Sequence, residues 1–171
     1  MPNSTDKLIE SFASKLRVLG VPIREDDNKL RLASFEKKLP KRPPQSFASL
    51  LSHYSFRAFD VGGISLFEWD SDLNAYTAEA CAAKGSLSEV MLPAGFAQIG
   101  RPDTGSFDAI CFDLNEPKQN REYRIVQIDH EEILCNWRVR VTREPWSSFV
   151  KLIERALSSV EPMVHYEDPR T

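Results

Sequence analysis

No run of about eighteen consecutive apolar residues occurs in the chain, so a membrane-spanning helix is not expected. The amino terminus, MPNSTDKLIESFASKL, lacks the basic flank and apolar core of a secretory leader, and a cytoplasmic location is expected. The only cysteines, Cys81, Cys111 and Cys135, are odd in number, widely spaced and without a C-x-x-C pair. That excludes a disulfide framework and a zinc knuckle, and Cys111, inside an apolar run, reads as a small core residue. There is no G-x-S-x-G elbow, no H-E-x-x-H pair and no Cys and His arrangement with local support. Gly62-Gly63 is not followed by a helix bearing Lys-Ser or Lys-Thr, and Gly100 to Gly105 lacks the lysine of a phosphate loop. Internal repeats and low-complexity runs are missing too. The cluster Lys37, Lys38, Lys41 and Arg42 has no interleaved aromatics and fits a solvated helix end, so neither nucleic acid nor a membrane is an expected partner. No cofactor, catalytic group or metal is called for, and folding should need neither metal nor nucleotide.

What the chain does contain is 171 residues, 42% hydrophobic and 27% charged, enough for one globular domain with an ordinary core. From Phe96 to Ile128, three short apolar or alternating runs are bounded by Gly, Pro, Asn or Asp, the pattern of a three-stranded antiparallel meander. Its strands are expected at Phe96 to Ile99, Phe107 to Phe112 and Tyr123 to Ile128. Asp129-His-Glu-Glu132 follows with capping-box spacing, so His130 and its acidic neighbours read as a helix start rather than a metal site.

Upstream, Leu8, Ile9, Phe12, Leu16 and Leu19 recur at helical steps before Gly20. A short helix from Leu30 is cut off by Pro40, and another begins at Pro43-Pro44 and ends near Tyr54, with His53 in its last turn. Phe56 to Phe59 and Ile64 to Trp69 read as strands joined through Gly62-Gly63, and Asn74 to Ala83 as a helix. Downstream, the alternation of Trp137 to Thr142 suggests a strand. Pro145 would open a final helix whose stripe is Phe149, Leu152, Ile153, Ala156 and Leu157, and the tail past Val160 should fray. The expected fold is a single α+β domain with a central, mostly antiparallel sheet of about five to six strands, flanked by N-terminal and C-terminal helices. Residues 1–28 would form an N-terminal helix and loop, 29–160 the α+β body, and 161–171 the frayed tail.

Net charge is -3, but residues 1–54 hold ten basic against six acidic side chains, and residues 55–135 hold six against fourteen. The sheet region is therefore acidic, which suits a basic protein partner. Glu68-Trp69-Asp70-Ser71-Asp72 places three carboxylates around an aromatic, but a calcium loop begun at Glu68 would need Gly where Leu73 stands and a bidentate Glu at its twelfth position, Glu79. Glu68, Trp69, Asp70, Asp72, Asp103 and Asp108 are the candidate partner-binding residues. The competing account buries Trp69 and scatters the acids as solvated loop charges.

The run "IG" closing a strand, a Gly-containing turn, "I-C-F-D", "Y-R-I-V" and "D-H-E-E-I" resembles the sheet core of the SUKH superfamily. Phe35, Glu36, Leu39 and Pro40 resemble its N-terminal signature, Gly62-Gly63 its glycine pair and Trp146 to Leu157 its last helix. That superfamily includes fungal cell-wall-assembly regulators and bacterial immunity proteins. The resemblance implies a non-catalytic protein-binding domain, an immunity protein that neutralises a toxin such as a nuclease. The alternatives are a regulatory scaffold of the cell-wall-regulator type, or a hydrolase whose site is dispersed along the sequence.

Overall fold

The computed structural model describes residues 3–70 and 85–171. Asp72, Cys81 and the helix expected over Asn74 to Ala83 lie outside the described residues.

The first helix, α1 (Ser4–Val18), is N-capped by Asn3, whose side chain accepts from the Asp6 backbone N–H. It buries Ile9, Phe12, Ala13 and Leu16, most of the stripe its spacing predicts, whereas Leu8 is partly buried and Leu19, past the helix end, is 41% exposed. Two more helices follow, α2 (Lys29–Glu36) and α3 (Gln45–His53). The latter is buried on nearly every side, and α1 packs against both it and the last helix in one helical layer. Strands β1 (Ile23–Glu25) and β2 (Tyr54–Phe56) form a separate antiparallel ribbon that carries α1 into this layer.

The main sheet is antiparallel throughout and has seven strands in the order β8-β7-β6-β5-β4-β3-β9. It is built from β3 (Phe59–Val61), β4 (Ile64–Leu66), β5 (Phe96–Pro102), β6 (Ala109–Asp113), β7 (Ile125–Ile128), β8 (Val141–Trp146) and β9 (Val164–His165). The expected meander is β5, β6 and β7, and the expected fold class holds with more strands than anticipated. Gly62 and Gly63 make a two-residue hairpin turn with φ of 57° and 85°, values that glycine adopts without penalty. Gly62 is also a packing requirement: a Cβ there would lie 2.5 Å from Leu152 Cδ1 and 2.9 Å from the Trp146 ring.

One face of the sheet carries Val61, Ile64, Leu66, Ile99, Ile110, Phe112 and Ile125 against α1, α3 and α6 (Phe149–Ser158). Phe47, Phe112 and Phe149 meet edge to face there, with ring centroids 5.0 to 6.1 Å apart, joining two helices to the sheet. The opposite face bears Ala109, Cys111, Val126 and Ile128, covered by the single turn α4 (Ser88–Met91) and by α5 (His130–Asn136) through Met91 and Ile133. Burial pushes the Cys111 thiol well above its usual range, with the charge of Asp113 adding to the effect, consistent with a packing role.

Three expectations about the C-terminal third need correction. Residues 137–140 are not a strand, because Trp137 ends α5 in a left-handed conformation and the chain turns back until the Asp129 N–H donates to the Arg140 carbonyl at 3.0 Å. Pro145 does not open the last helix: it lies in β8, and Ser148 caps α6 by accepting from the Lys151 N–H at 3.1 Å. Nor does the whole tail fray. Val164 is buried, and β9 pairs with β3 while the Gly62 N–H donates to the Met163 carbonyl.

Glu122 lies in the connection between β6 and β7, buried against the starts of α3 and α6. Its carboxylate accepts from the N–H and hydroxyl of Ser46, at 3.0 and 2.9 Å, and from the Val150 N–H. Burial raises its pKa against the opposing pull of these bonds, so its contribution to stability is fullest below the ordinary carboxylate range and declines as pH rises through the raised value. Glu122→Ala should cost about 2 kcal/mol in urea unfolding at neutral pH, with a larger gap to wild type near pH 4.

Candidate functional site

The residues proposed from sequence do not form one surface. Trp69 is 0% exposed; its Nε1 donates to the Leu51 carbonyl at 2.9 Å, its ring meets Phe35 edge on, and the Arg31 guanidinium lies 3.9 Å from its centroid. Asp70 is buried as well, bridged by both terminal nitrogens of Arg24 at 3.1 and 3.3 Å, while its carbonyl accepts from Arg31. These two residues are an internal clasp that holds β1 and α2 to the body, which is the competing account for this segment. Partly buried Glu68 pairs with Arg57 at 3.8 Å. Trp69→Ala should therefore cost about 3–5 kcal/mol of stability, read by chemical unfolding, as expected for emptying a core site.

A cleft of about 570 Å³ opens between α1, the 25–29 loop and the end of α3. Asp6, Glu10, Glu25, Asp26 and Asp27 line it with His53 and Tyr54. Much of this polar set serves the fold: Asp6 accepts from the Ser49 hydroxyl, Asp26 from the Ser55 hydroxyl and Asp27 from the Lys29 N–H, and Glu25 pairs with Arg17. His53 Nδ1 lies 2.9 Å from both the Ser49 carbonyl and the Ser52 hydroxyl. A carbonyl only accepts, so that nitrogen carries the proton, and Ser52 has no base in it. His53 is the C-terminal helix partner its position suggested.

Of the remaining two candidates, Asp103 lies just past β5 with its N–H donating to the Gly63 carbonyl, and Asp108 stands on the other layer of the molecule, beside α5. There Phe107 is 67% exposed, Leu134 64% and Trp137 67%. His130 and Leu134 are four apart in α5, the step that lines residues along one side of a helix, and Trp137 follows at its left-handed C-terminus. The Phe107 ring extends the row, 6.0 Å from the His130 ring. Asp103 and Phe107 line one recess of about 240 Å³, which ties the loop after β5 to this ridge.

The ridge is held from beneath by Asp108. One of its oxygens takes the His130 backbone N–H at 3.1 Å and lies 2.7 Å from His130 Nδ1, and the other accepts from Gln127 Nε2 at 2.7 Å. Burial raises the Asp108 pKa, but the bonds from His130 and Gln127 outweigh it and hold the carboxyl below the usual range. Asp129 caps α5 by accepting from the Glu131 and Glu132 N–H groups, as the sequence spacing indicated. Arg140 and Arg138 pair with Asp129 and Glu132 at 2.9 and 2.6 Å. With those four charges matched, Glu131 adds an exposed carboxylate to the first turn of α5, and Arg143, exposed on β8, stands across from Gln127. Asp108, Asp129 and His130 are close enough to suggest a cation site, yet their atoms are already engaged in caps and ion pairs.

Sequence pattern missed Phe107, Leu134 and Trp137 because each reads as core in a β-like alternation or an apolar helix stripe. A signal was present at Trp137, where a helix C-terminus that ordinarily ends in glycine carries a tryptophan instead. The fold defines an α+β domain with an antiparallel sheet and exposed aromatic and apolar side chains about α5 on one layer. No protein-family model matches the chain, and no curated protein matches it. Among the described residues no helix is long and apolar enough to cross a membrane.

Because the folded-state pKa of Asp108 is depressed, its stabilisation is present above the ordinary carboxylate range and lost as pH falls through the depressed value. Asp108→Asn should lower the midpoint of thermal unfolding at neutral pH, and the difference from wild type should close on acidification, opposite in slope to Glu122→Ala.

Proposed function

We propose that this chain is a non-catalytic protein-binding domain that holds a basic protein partner on the α5 ridge, in the manner of an immunity protein that neutralises a toxin. One observation carries this reading. Trp137 is left-handed, with φ of 51°, and 67% exposed. A bulky side chain in that conformation costs about 1–2 kcal/mol, and most of its surface gains no packing in return. Tryptophan dominates interface hot spots, and here it ends a helix that also exposes Leu134 and Glu131 and begins at His130, against which the exposed Phe107 ring lies. Nucleases present basic surfaces to phosphate, which makes such a toxin a suitable occupant.

The sheet edges favour a helix surface over strand addition: Pro145 removes a donor from β8, and β9 is only two residues long. Cys111 and Cys135 are free thiols, which fits a reducing cytoplasm.

A photo-crosslinking residue at Leu134, expressed in the native host, should yield an adduct to a basic peptide, with none from the same residue at Leu30, which is 89% exposed. Trp137→Gly should abolish the adduct while leaving stability unchanged or raised by up to about 1 kcal/mol, because glycine relieves the left-handed strain. Equal adducts at Leu30 and Leu134, or an adduct at Leu134 indifferent to Trp137→Gly, would contradict the proposal.

A further inference from the structure

The cleft between α1, the 25–29 loop and the end of α3 contains a polar group that the fold does not use. Tyr54, the residue after α3, lines this cleft and is only 6% exposed. The Arg17 guanidinium lies over its ring, 5.7 Å from the centroid, yet its hydroxyl makes no hydrogen bond to any described residue. A tyrosine so nearly buried ordinarily finds a partner within the protein. Burial raises its pKa, Arg17 pulls it back, and Glu25 and Glu10 push it up again, so both carboxylates of the cleft wall lie within electrostatic reach of the phenol. The hydroxyl is left for whatever enters the cleft.

The charges around it are unevenly matched. Glu25 has Arg17 at 3.6 Å, and Asp26 has Arg24 at 3.8 Å. Asp6 and Asp27 have only neutral donors, the Ser49 hydroxyl at 2.7 Å and the Lys29 N–H at 3.3 Å, and Glu10 has no hydrogen-bond or ion-pair partner among the described residues. A neutral donor occupies a lone pair without cancelling the charge. Lys29 is the one lysine or arginine on the wall, and His53 beside it directs its Nδ1 proton to the Ser49 carbonyl. Three carboxylates against one ammonium leave the cleft negative.

The spacing of those carboxylates selects the kind of cation. Among the described residues, only Asp108, Asp129 and His130 bring three ligating atoms within 4.8 Å of one another, so the acids of this cleft stand too far apart to share one metal ion. Separate charges along one wall suit a ligand with separate charges of its own. At about 570 Å³ the cleft has the size of a small-molecule site, and Ile9 and the Tyr54 ring give it apolar wall between the acids. We propose that it binds a linear aliphatic polyamine, with ammonium groups on Asp6, Glu10 and Asp27, one of them donating to the Tyr54 hydroxyl, and methylene spacers along Ile9. This site is separate from the α5 ridge and does not depend on it.

Isothermal titration of spermidine into the full chain, at about 0.1 M salt so that diffuse attraction is screened, should show saturable one-to-one binding. Tyr54→Phe should weaken it about tenfold, the loss of one hydrogen bond to a charged group, while leaving urea unfolding unchanged because the hydroxyl supports nothing in the fold. Glu10→Gln should weaken binding about threefold or more, Lys29→Met should tighten it, and Glu131→Gln on α5 should do neither. In the wild-type chain, amide shifts on adding spermidine should fall in residues 6–10, 25–29 and 49–54, a readout that needs no variant.

No saturable binding, or an affinity indifferent to both Tyr54→Phe and Glu10→Gln, would overturn the proposal. Magnesium displacing spermidine at equal concentration would make the cleft a divalent-cation site instead. Tetralysine binding more tightly than spermidine, with the same sensitivity to Tyr54→Phe, would make it a site for basic peptide and equally overturn the assignment.

Discussion

A single carboxylate joins three parts of this domain that are distant in sequence. Glu122 belongs to the connection between β6 and β7, where it is buried and satisfies backbone donors at the starts of both α3 and α6. Each helix start leaves N–H groups without partners, and a charged acceptor shared by two of them fixes where both helices begin relative to the sheet. Below it, Phe47, Phe112 and Phe149 bring the same two helices and β6 into edge-to-face contact. The desolvation of that carboxylate is tolerated because three hydrogen bonds compensate it, which is why the helical layer depends on one side chain.

The opposite layer is organised by a second carboxylate with the reverse electrostatic character. Asp108 keeps its charge easily because His130 and Gln127 saturate it, and in doing so it fixes the start of α5 beside Phe107. Glu122 therefore favours folding at lower pH and Asp108 at higher pH, one in each layer. The layers also differ in what they leave outside. Around α1 and α3 the carboxylates of the cleft largely serve caps, hydroxyls and ion pairs, whereas along α5 apolar and acidic groups remain exposed together.

Much of the fold was legible from residues alone. Turn-bounded runs located β5, β6 and β7, helical spacing located α1, α3 and the buried stripe of α6, and Asp129-His-Glu-Glu132 marked the start of α5. These signals are local, set by backbone freedom and capping within a few residues. What failed was what depends on distant partners. Trp69 reads as a strand-end aromatic among acids, but Leu51, Phe35 and Arg31 close over it from elements eighteen to thirty-eight residues away. Val164 has no local pattern and is ordered by β3, and the alternation after Trp137 mimics a strand although Asp129 draws that backbone into a turn. The proposed surface was half legible: the acidic balance pointed to Asp108, while the exposed aromatics looked like core. A segment sum of charge also hid the acidic cleft within the basic first fifty-four residues.

Amide hydrogen exchange of the chain, free and bound to the partner recovered through the ridge, tests the central claim most directly. The account predicts slowed exchange confined to residues 104–108 and 130–140, with 6–10 and 25–29 unchanged. Protection of the α1 cleft with the ridge exchanging at its free rate would place the partner on the other layer and contradict it.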